Sequence, residues 1–229
     1  MADSGNKKLS NSADKPVQER LVDAAEELFC EHGFDETTVR DLAAAARCNV
    51  AAVNYYFGGK EKLYVEVWRR RLVLMRKARL TSIETVMSAS DGKARLEDLL
   101  RASANAFVEP VVHPSKTRQF TRLMARELID PHLPEDVFAK ELIQPTMAAL
   151  GEALIKTCPG LDRSKVVLVI LSFIGQLMHM VHIKTWFEEV AQERMELPKL
   201  DLAEVVDHVV EFSAAGIRAY AKPNGQPEG

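Results

Sequence analysis

The chain reads as all-α, with an N-terminal three-helix helix-turn-helix domain followed by a C-terminal helical bundle. Three observations predict this. Apolar residues recur at three- and four-residue spacing over long stretches. No segment of useful length alternates apolar and polar residues as a half-buried strand would. Pro110, Pro114, Pro131, Pro159 and Pro198 fall in the gaps between periodic segments, where proline belongs.

Residues 1–15 are rich in Ser, Asn, Asp and Lys and are expected to be a disordered arm. Lys7 and Lys8 read first as a solvated tail and second as contacts to a DNA backbone. Pro16 suits a first helical turn, and the spacing of Leu21, Ala24, Ala25, Leu28 and Phe29 predicts a helix over Val17 to His32. Gly33 ends it, and Phe34 packs the corner. Thr38-Val39-Arg40-Asp41 resembles a capping box leading Leu42 to Ala46, with Thr37 or Thr38 as the cap.

Asn49 is a good N-cap for a helix of about two turns over Val50 to Tyr56. Phe57 is expected to plug this element into a core, with Gly58 and Gly59 turning the chain. A short capped helix, a tight turn and a second short capped helix make a helix-turn-helix whose second helix is free to enter a DNA major groove. Lys60 opens the next helix, and an ammonium at a helix N-terminus makes a phosphate site.

That next helix is expected to reach Ser88, with Leu63, Val67 and Leu74 inward. Arg69, Arg70, Arg71, Arg76, Lys77 and Arg79 are expected mostly on a solvated face that balances the acidic first helix. After Asp91-Gly92, helices are expected over 93–109, 115–129, 134–157, 162–190 and 201–221, the third broken by Pro145. The chain thus divides into an arm (1–15), a helix-turn-helix domain (16–60), a helical ligand-binding and dimerisation domain (61–221) and a flexible tail (222–229).

Composition narrows the function. With 229 residues, of which 47% are apolar, the chain can bury a substantial core. The net charge of -3 excludes a globally basic nucleic-acid binder, so DNA contacts must rest on local charge. Cys30, Cys48 and Cys158 lack metal-ligand spacing, which points to a reducing cytoplasm without structural zinc. The N-terminus has no signal-peptide pattern. Val166 to Ile183 approaches spanning length, but Ser172, Gln176, His179 and His182 interrupt it, so a buried helix is expected and no membrane.

Two C-terminal helices are the candidates for a homodimer interface. On one, Val166, Ile170, Phe173 and Leu177 share a face. On the other, Val206, Val209, Ser213, Gly216, Ile217 and Tyr220 form a stripe, where small residues permit close helix–helix approach. The opposite face of the first carries Leu171, Gly175, Met178, His179, His182 and Trp186, which suits an apolar pocket with a polar handle. Phe120, Met124 and Glu127 share a face elsewhere, with Glu127 read first as a partner of Arg122 or Arg126 and second as a pocket group. His179 and His182 with Glu127 are a poor metal set, and the chain lacks a Gly-rich phosphate loop or nucleophile motif. No catalysis, cofactor or bound metal is expected, and a metal-dependent enzyme is the weakest reading.

At this point the N-terminal third closely resembles the TetR family of transcriptional regulators. The resemblance rests on Ala25-x-x-Leu28-Phe29-x-x-x-Gly33-Phe34, on Thr37-Thr38-Val39-Arg40-Asp41-Leu42-Ala43-x-x-Ala46, and on Val53-Asn54-Tyr55-Tyr56-Phe57-x-x-Lys60-Glu61-x-Leu63. Arg126-Glu127, Asp130-Pro131 and Gln144-Pro145 carry a further resemblance to the CecR-like branch. It implies a cytoplasmic homodimer that represses by binding double-stranded DNA at a palindromic operator and is released by a small-molecule ligand in the C-terminal domain. Control by a protein partner is the alternative. By position, Thr38, Tyr56 and Lys60 would hold phosphates, and Arg47, Asn49, Ala51, Ala52, Asn54 and Tyr55 would lie at or near base edges. Arg47 departs from the turn glycine usual in the family, and at φ > 0 a side chain costs on the order of 1 kcal/mol.

Overall fold

The computed structural model describes residues 15–90, 93–112, 123, 124, 126, 127, 129–194 and 201–221, without the side chains of 110–112, 182 and 184–194. The regular elements among these residues are helical: α1 (Val17–His32), α2 (Val39–Ala45), α3 (Ala51–Phe57), α4 (Lys60–Ala89), α5 (Leu96–Val112), α6 (Glu135–Phe138), α7 (Gln144–Thr157), α8 (Val166–Arg194) and α9 (Leu202–Tyr220). One isolated antiparallel bridge joins Leu161 to Ala221. The expected arm apart from Lys15, the whole of the expected tail and the expected helix start at 115 lie outside the described residues.

Two compact units emerge, one of residues 1–73 with 113–139, the other of 74–112 with 140–229. The division falls within α4 and not at Lys60. The reason is packing: Leu63, Tyr64, Val67, Trp68 and Leu72 are each at most 2% exposed and complete the core of the first unit. There Phe29 meets Tyr64 edge-on at 5.0 Å, and Trp68 meets Phe138 at 6.4 Å. Each such fully buried large apolar side chain contributes about 1.5–3 kcal/mol relative to exposure.

In the second unit α5, α7, α8 and α9 enclose Leu99, Leu100, Leu154, Phe173, Leu177 and Val209. Gly151 lets α7 approach α8 closely, since a Cβ there would lie 3.1 Å from Val166 Cγ1. Pro145 does break its helix. α6 gives way to a π-helical turn over Ala139–Ile143 before α7 begins, with the proline in its first turn. By length and composition alone Arg163–Val181 would cross a membrane, with mean hydropathy 1.7, yet its Val166, Ile170, Phe173 and Leu177 close the core of this unit.

The basic residues of α4 lie only partly on the expected solvated face, with Arg69 and Lys77 exposed and Arg71, Arg76 and Arg79 half-buried. Arg70 does balance α1, pairing with Asp23 at 2.6 Å and with Glu26. Arg71 joins the same carboxylate of Glu26. Arg79 packs over the Phe107 ring, 4.6 Å from its centroid, and burial lowers its pKa to about 10.

Candidate nucleic-acid interface

The site is built on α2 and α3. Thr38 caps α2 with a complete capping box: its Oγ1 accepts from Asp41 N at 3.2 Å, and Asp41 Oδ2 accepts from Thr38 N at 3.0 Å. Hydrogen bonds from the Thr38 side chain and backbone hold the Asp41 carboxyl below its ordinary pKa. Thr37, the other candidate cap, is buried and donates to Gly33 O at 2.7 Å instead.

The turn after α2 is a Schellman motif. Cys48 N donates to Ala43 O at 2.9 Å and Arg47 N to Ala44 O at 3.1 Å, which places Arg47 in the left-handed region at φ 51. Arg20 of α1 secures this turn from outside, donating from Nε to Ala46 O at 3.0 Å. It also donates to Lys15 O at 2.8 Å and reaches Arg47 O at 3.4 Å. Sequence reading missed Arg20, because its acceptors are main-chain oxygens that no residue pattern displays.

Asn49 Oδ1 accepts from Ala51 N at 2.8 Å and so starts α3 as expected. The helix itself runs one residue later than expected, so Phe57 is its last residue and is half-buried. Val53 is fully buried and anchors α3, which turns Ala51, Asn54, Tyr55 and Tyr56 outward. Tyr55 is 82% exposed and touches Tyr56 edge-on at 4.9 Å. Arg20, Arg47, Asn49, Ala51, Tyr55 and Tyr56 line one open groove of about 480 Å³, with half-buried Ala52 in its wall. Two guanidinium-bearing side chains and two aromatic rings in that groove suit phosphates and base edges.

Lys60 is placed differently from the others. Its Nζ donates to Phe34 O at 2.8 Å and Thr37 O at 3.0 Å and lies 4.1 Å from the Phe34 ring centroid. It fastens the corner before α2, leaving one N–H for a phosphate.

Several expected C-terminal residues are corrected. Glu127 does not pair with Arg126, Arg122 lies outside the described residues, and the cavity that Glu127 lines belongs to the first unit. Its Oε2 accepts from Tyr64 Oη at 2.7 Å, and its Oε1 accepts from His132 N at 2.8 Å and Leu133 N at 2.6 Å. Met124 is half-buried in the same unit. The face of α8 expected at the dimer interface turns inward, and the face expected at the pocket turns outward. Val166, Ile170, Phe173 and Leu177 are buried in the chain's own core, as are Val206, Val209, Ser213 and Ile217 of α9, so they offer no surface to a partner. Gly175, Met178 and His179 are exposed, and so are Gly216 and Tyr220. Phe120 lies outside the described residues, as do the side chains of His182 and Trp186.

Comparison with known proteins agrees with this geometry. Residues 21–67 match the model of the bacterial regulatory proteins of the tetR family. Residues 96–217 match the C-terminal domain of the HTH-type transcriptional dual regulator CecR. CecR of Shigella flexneri is 26% identical over 194 residues, covering 79% of this chain and 85% of that protein. The transcriptional repressor KstR2 of Rhodococcus jostii is 39% identical over 87 residues, 38% of this chain and 41% of its own. Among solved structures, a TetR-family regulator from Mesorhizobium loti superposes with a TM-score of 0.65 at 20% identity, covering 90% of this chain and 98% of that one. At that identity the likeness shows the fold.

Proposed function

The chain belongs to the TetR family of bacterial transcriptional regulators, with a C-terminal domain of the CecR type, and on that premise we propose that it is a dimeric repressor of a palindromic operator, released by a small molecule. Its relatives are DNA-binding transcriptional regulators and not enzymes. The observation that carries the reading is the presentation of α3: Val53 is fixed in the core while Asn54, Tyr55 and Tyr56 project from the exposed side. In a helix-turn-helix this face meets base edges, with phosphate contacts from its flanks setting register.

Dimerisation is supported by what the core leaves uncovered. Val167, Leu168, Leu171 and Met178 of α8 are each more than half exposed, as are Phe212 and Tyr220 of α9. They recur at helical spacing, and Gly216 lies between Phe212 and Tyr220 with nothing among the described residues within 4 Å of where its Cβ would be. An apolar strip with a notch of this kind suits a second copy of the same helices. An anionic effector in the second unit is supported by Arg79. Its Nε is buried without an acceptor among the described residues, and a guanidinium removed from water gains most from a carboxylate or phosphate.

Selection of bound sequences from a random duplex pool, at two salt concentrations, tests the reading. An enriched palindrome with half-sites about 34–36 Å apart, or a multiple of that, is the expected result. Asn54→Ala should then alter which sequences are enriched, and equal losses on every sequence would remove Asn54 from the base contacts. Salt-sensitive binding without enrichment overturns the operator reading and favours control through a protein partner.

A further inference from the structure

We propose that Asp35, Asp130 and His132 form a binding site for one divalent first-row transition cation, joining the corner between α1 and α2 to the segment that follows residue 129. Both parts belong to the first unit. One ligand atom from each residue lies within 4.8 Å of the other two. His132 Nε2 is 3.4 Å from Asp35 Oδ2 and 3.8 Å from Asp130 Oδ2, and neither separation is a hydrogen bond. A tetrahedral cation with bonds of about 2.1 Å holds its ligand atoms about 3.4 Å apart. The two separations from His132 Nε2 therefore lie within a few tenths of an ångström of that spacing, and the two carboxylate oxygens are within 4.8 Å of each other.

The state of the imidazole strengthens this reading. His132 Nδ1 lies 2.9 Å from Asp130 O, and a carbonyl only accepts, so Nδ1 carries a proton. A backbone acceptor on the far nitrogen is the usual device that aims the other nitrogen at a metal. Nε2 then turns toward two carboxylates. As a lone pair it adds a third acceptor to a group that lacks a donor, and a cation between the three resolves the conflict.

The ring is also held in place. It packs on Phe34 at 4.5 Å between centroids, while the main-chain N–H of the same residue donates to Glu127. A cavity of about 240 Å³ beside the site is lined by Glu36 and Glu127 as well as Asp35 and Asp130, against the single guanidinium, among the described residues, of Arg126. That surplus of negative charge favours a cation. One imidazole with two carboxylates suits Zn2+ or Mn2+ better than Mg2+, which prefers an all-oxygen shell.

Occupancy would tie Asp35, three residues before the Thr38 cap, to residues 130–132. Equilibrium dialysis of the full-length protein against ZnCl2, without DNA, tests the site independently of any operator. Cys48→Ser serves as the background, because Cys48 is the partly exposed thiol. One Zn2+ per chain is expected, displaced poorly by Mg2+, with affinity reduced at least tenfold by His132→Gln and by Asp35→Asn. Asp35 is exposed, so its variant keeps the test valid should His132→Gln disturb the packing on Phe34. The proposal is overturned if the background protein binds no Zn2+, or if both variants retain it unchanged. In either case Nε2 is protonated and the three residues are an ion-paired triad only.

Discussion

Arg76 donates from Nη1 to the main-chain oxygen of Glu141 at 2.8 Å, the carbonyl whose α-helical donor would have come from Pro145. Proline has no N–H to return to that oxygen, so the helix is interrupted there and the arginine on α4 takes over. The same nitrogen reaches Glu141 Oε2 at 3.0 Å. Arg76→Met keeps most of the stem and removes both bonds. It should lower stability by about 1–2 kcal/mol, given the partial exposure of the pair. Urea unfolding reads this directly. An unchanged midpoint would mean that the π turn holds itself without the arginine.

Lys60 should show a double phenotype. Lys60→Ala removes two charged hydrogen bonds to Phe34 O and Thr37 O, and is expected to cost about 2 kcal/mol of stability. It should also weaken binding to specific and random duplexes alike and flatten the salt slope by about one unit. A stability loss with unaltered DNA binding would confine Lys60 to the corner. Weaker DNA binding at full stability would confine it to the phosphate.

Arg47→Gly separates strain from recognition. At φ 51 the arginine occupies a region that glycine enters freely, so the substitution should raise stability by about 0.5–1 kcal/mol. Its side chain lines the α3 groove, so DNA affinity should fall in the same variant. Opposite signs in the two measurements are the expected signature. A parallel fall in both would show that the arginine side chain stabilises the turn more than its backbone strains it.

The capping box of α2 gives a pH dependence with a definite sign. Asp41 has a folded-state pKa below its ordinary value of 3.8, so its contribution is fully present above that value and lost as pH falls below it. The stability difference between the wild type and Asp41→Asn should therefore persist at neutral pH and shrink in acid below about pH 4. Denaturant midpoints across pH 2.5–7 provide the check. A difference independent of pH would exclude the ionised carboxylate as the capping group.

Local chemistry made part of this legible. Pro16 and Gly33 bracket α1 at the boundaries expected, and Thr38 with Asp41 marks the start of α2. Arg47 stood out as a departure from glycine, and its positive φ gives that departure a physical cost. What stayed hidden depends on contacts distant in sequence. Lys60 finds its carbonyls 26 and 23 residues earlier, and Glu127 finds the Tyr64 hydroxyl 63 residues earlier. The faces of α8 were separable by helical phase but not assignable, because both are apolar. Only the packing of α5, α7 and α9 decides that Phe173 and Leu177 turn inward.

That reversal can be tested by substituting one residue from each face. Leu171 is 55% exposed and Phe212 63% exposed in the single chain, so Glu at either site meets water and leaves the fold intact. In a dimer the same carboxylate would be buried in an apolar interface without a partner, at a cost of several kcal/mol. Leu171→Glu and Phe212→Glu should therefore halve the molar mass measured by sedimentation while the helical circular dichroism is retained. Phe173→Ala should instead lower stability by about 3–5 kcal/mol, because the ring is 1% exposed in the chain's own core. A wild-type mass for both glutamate variants would place the partner surface elsewhere, and the strip on α8 and α9 would lose its assignment.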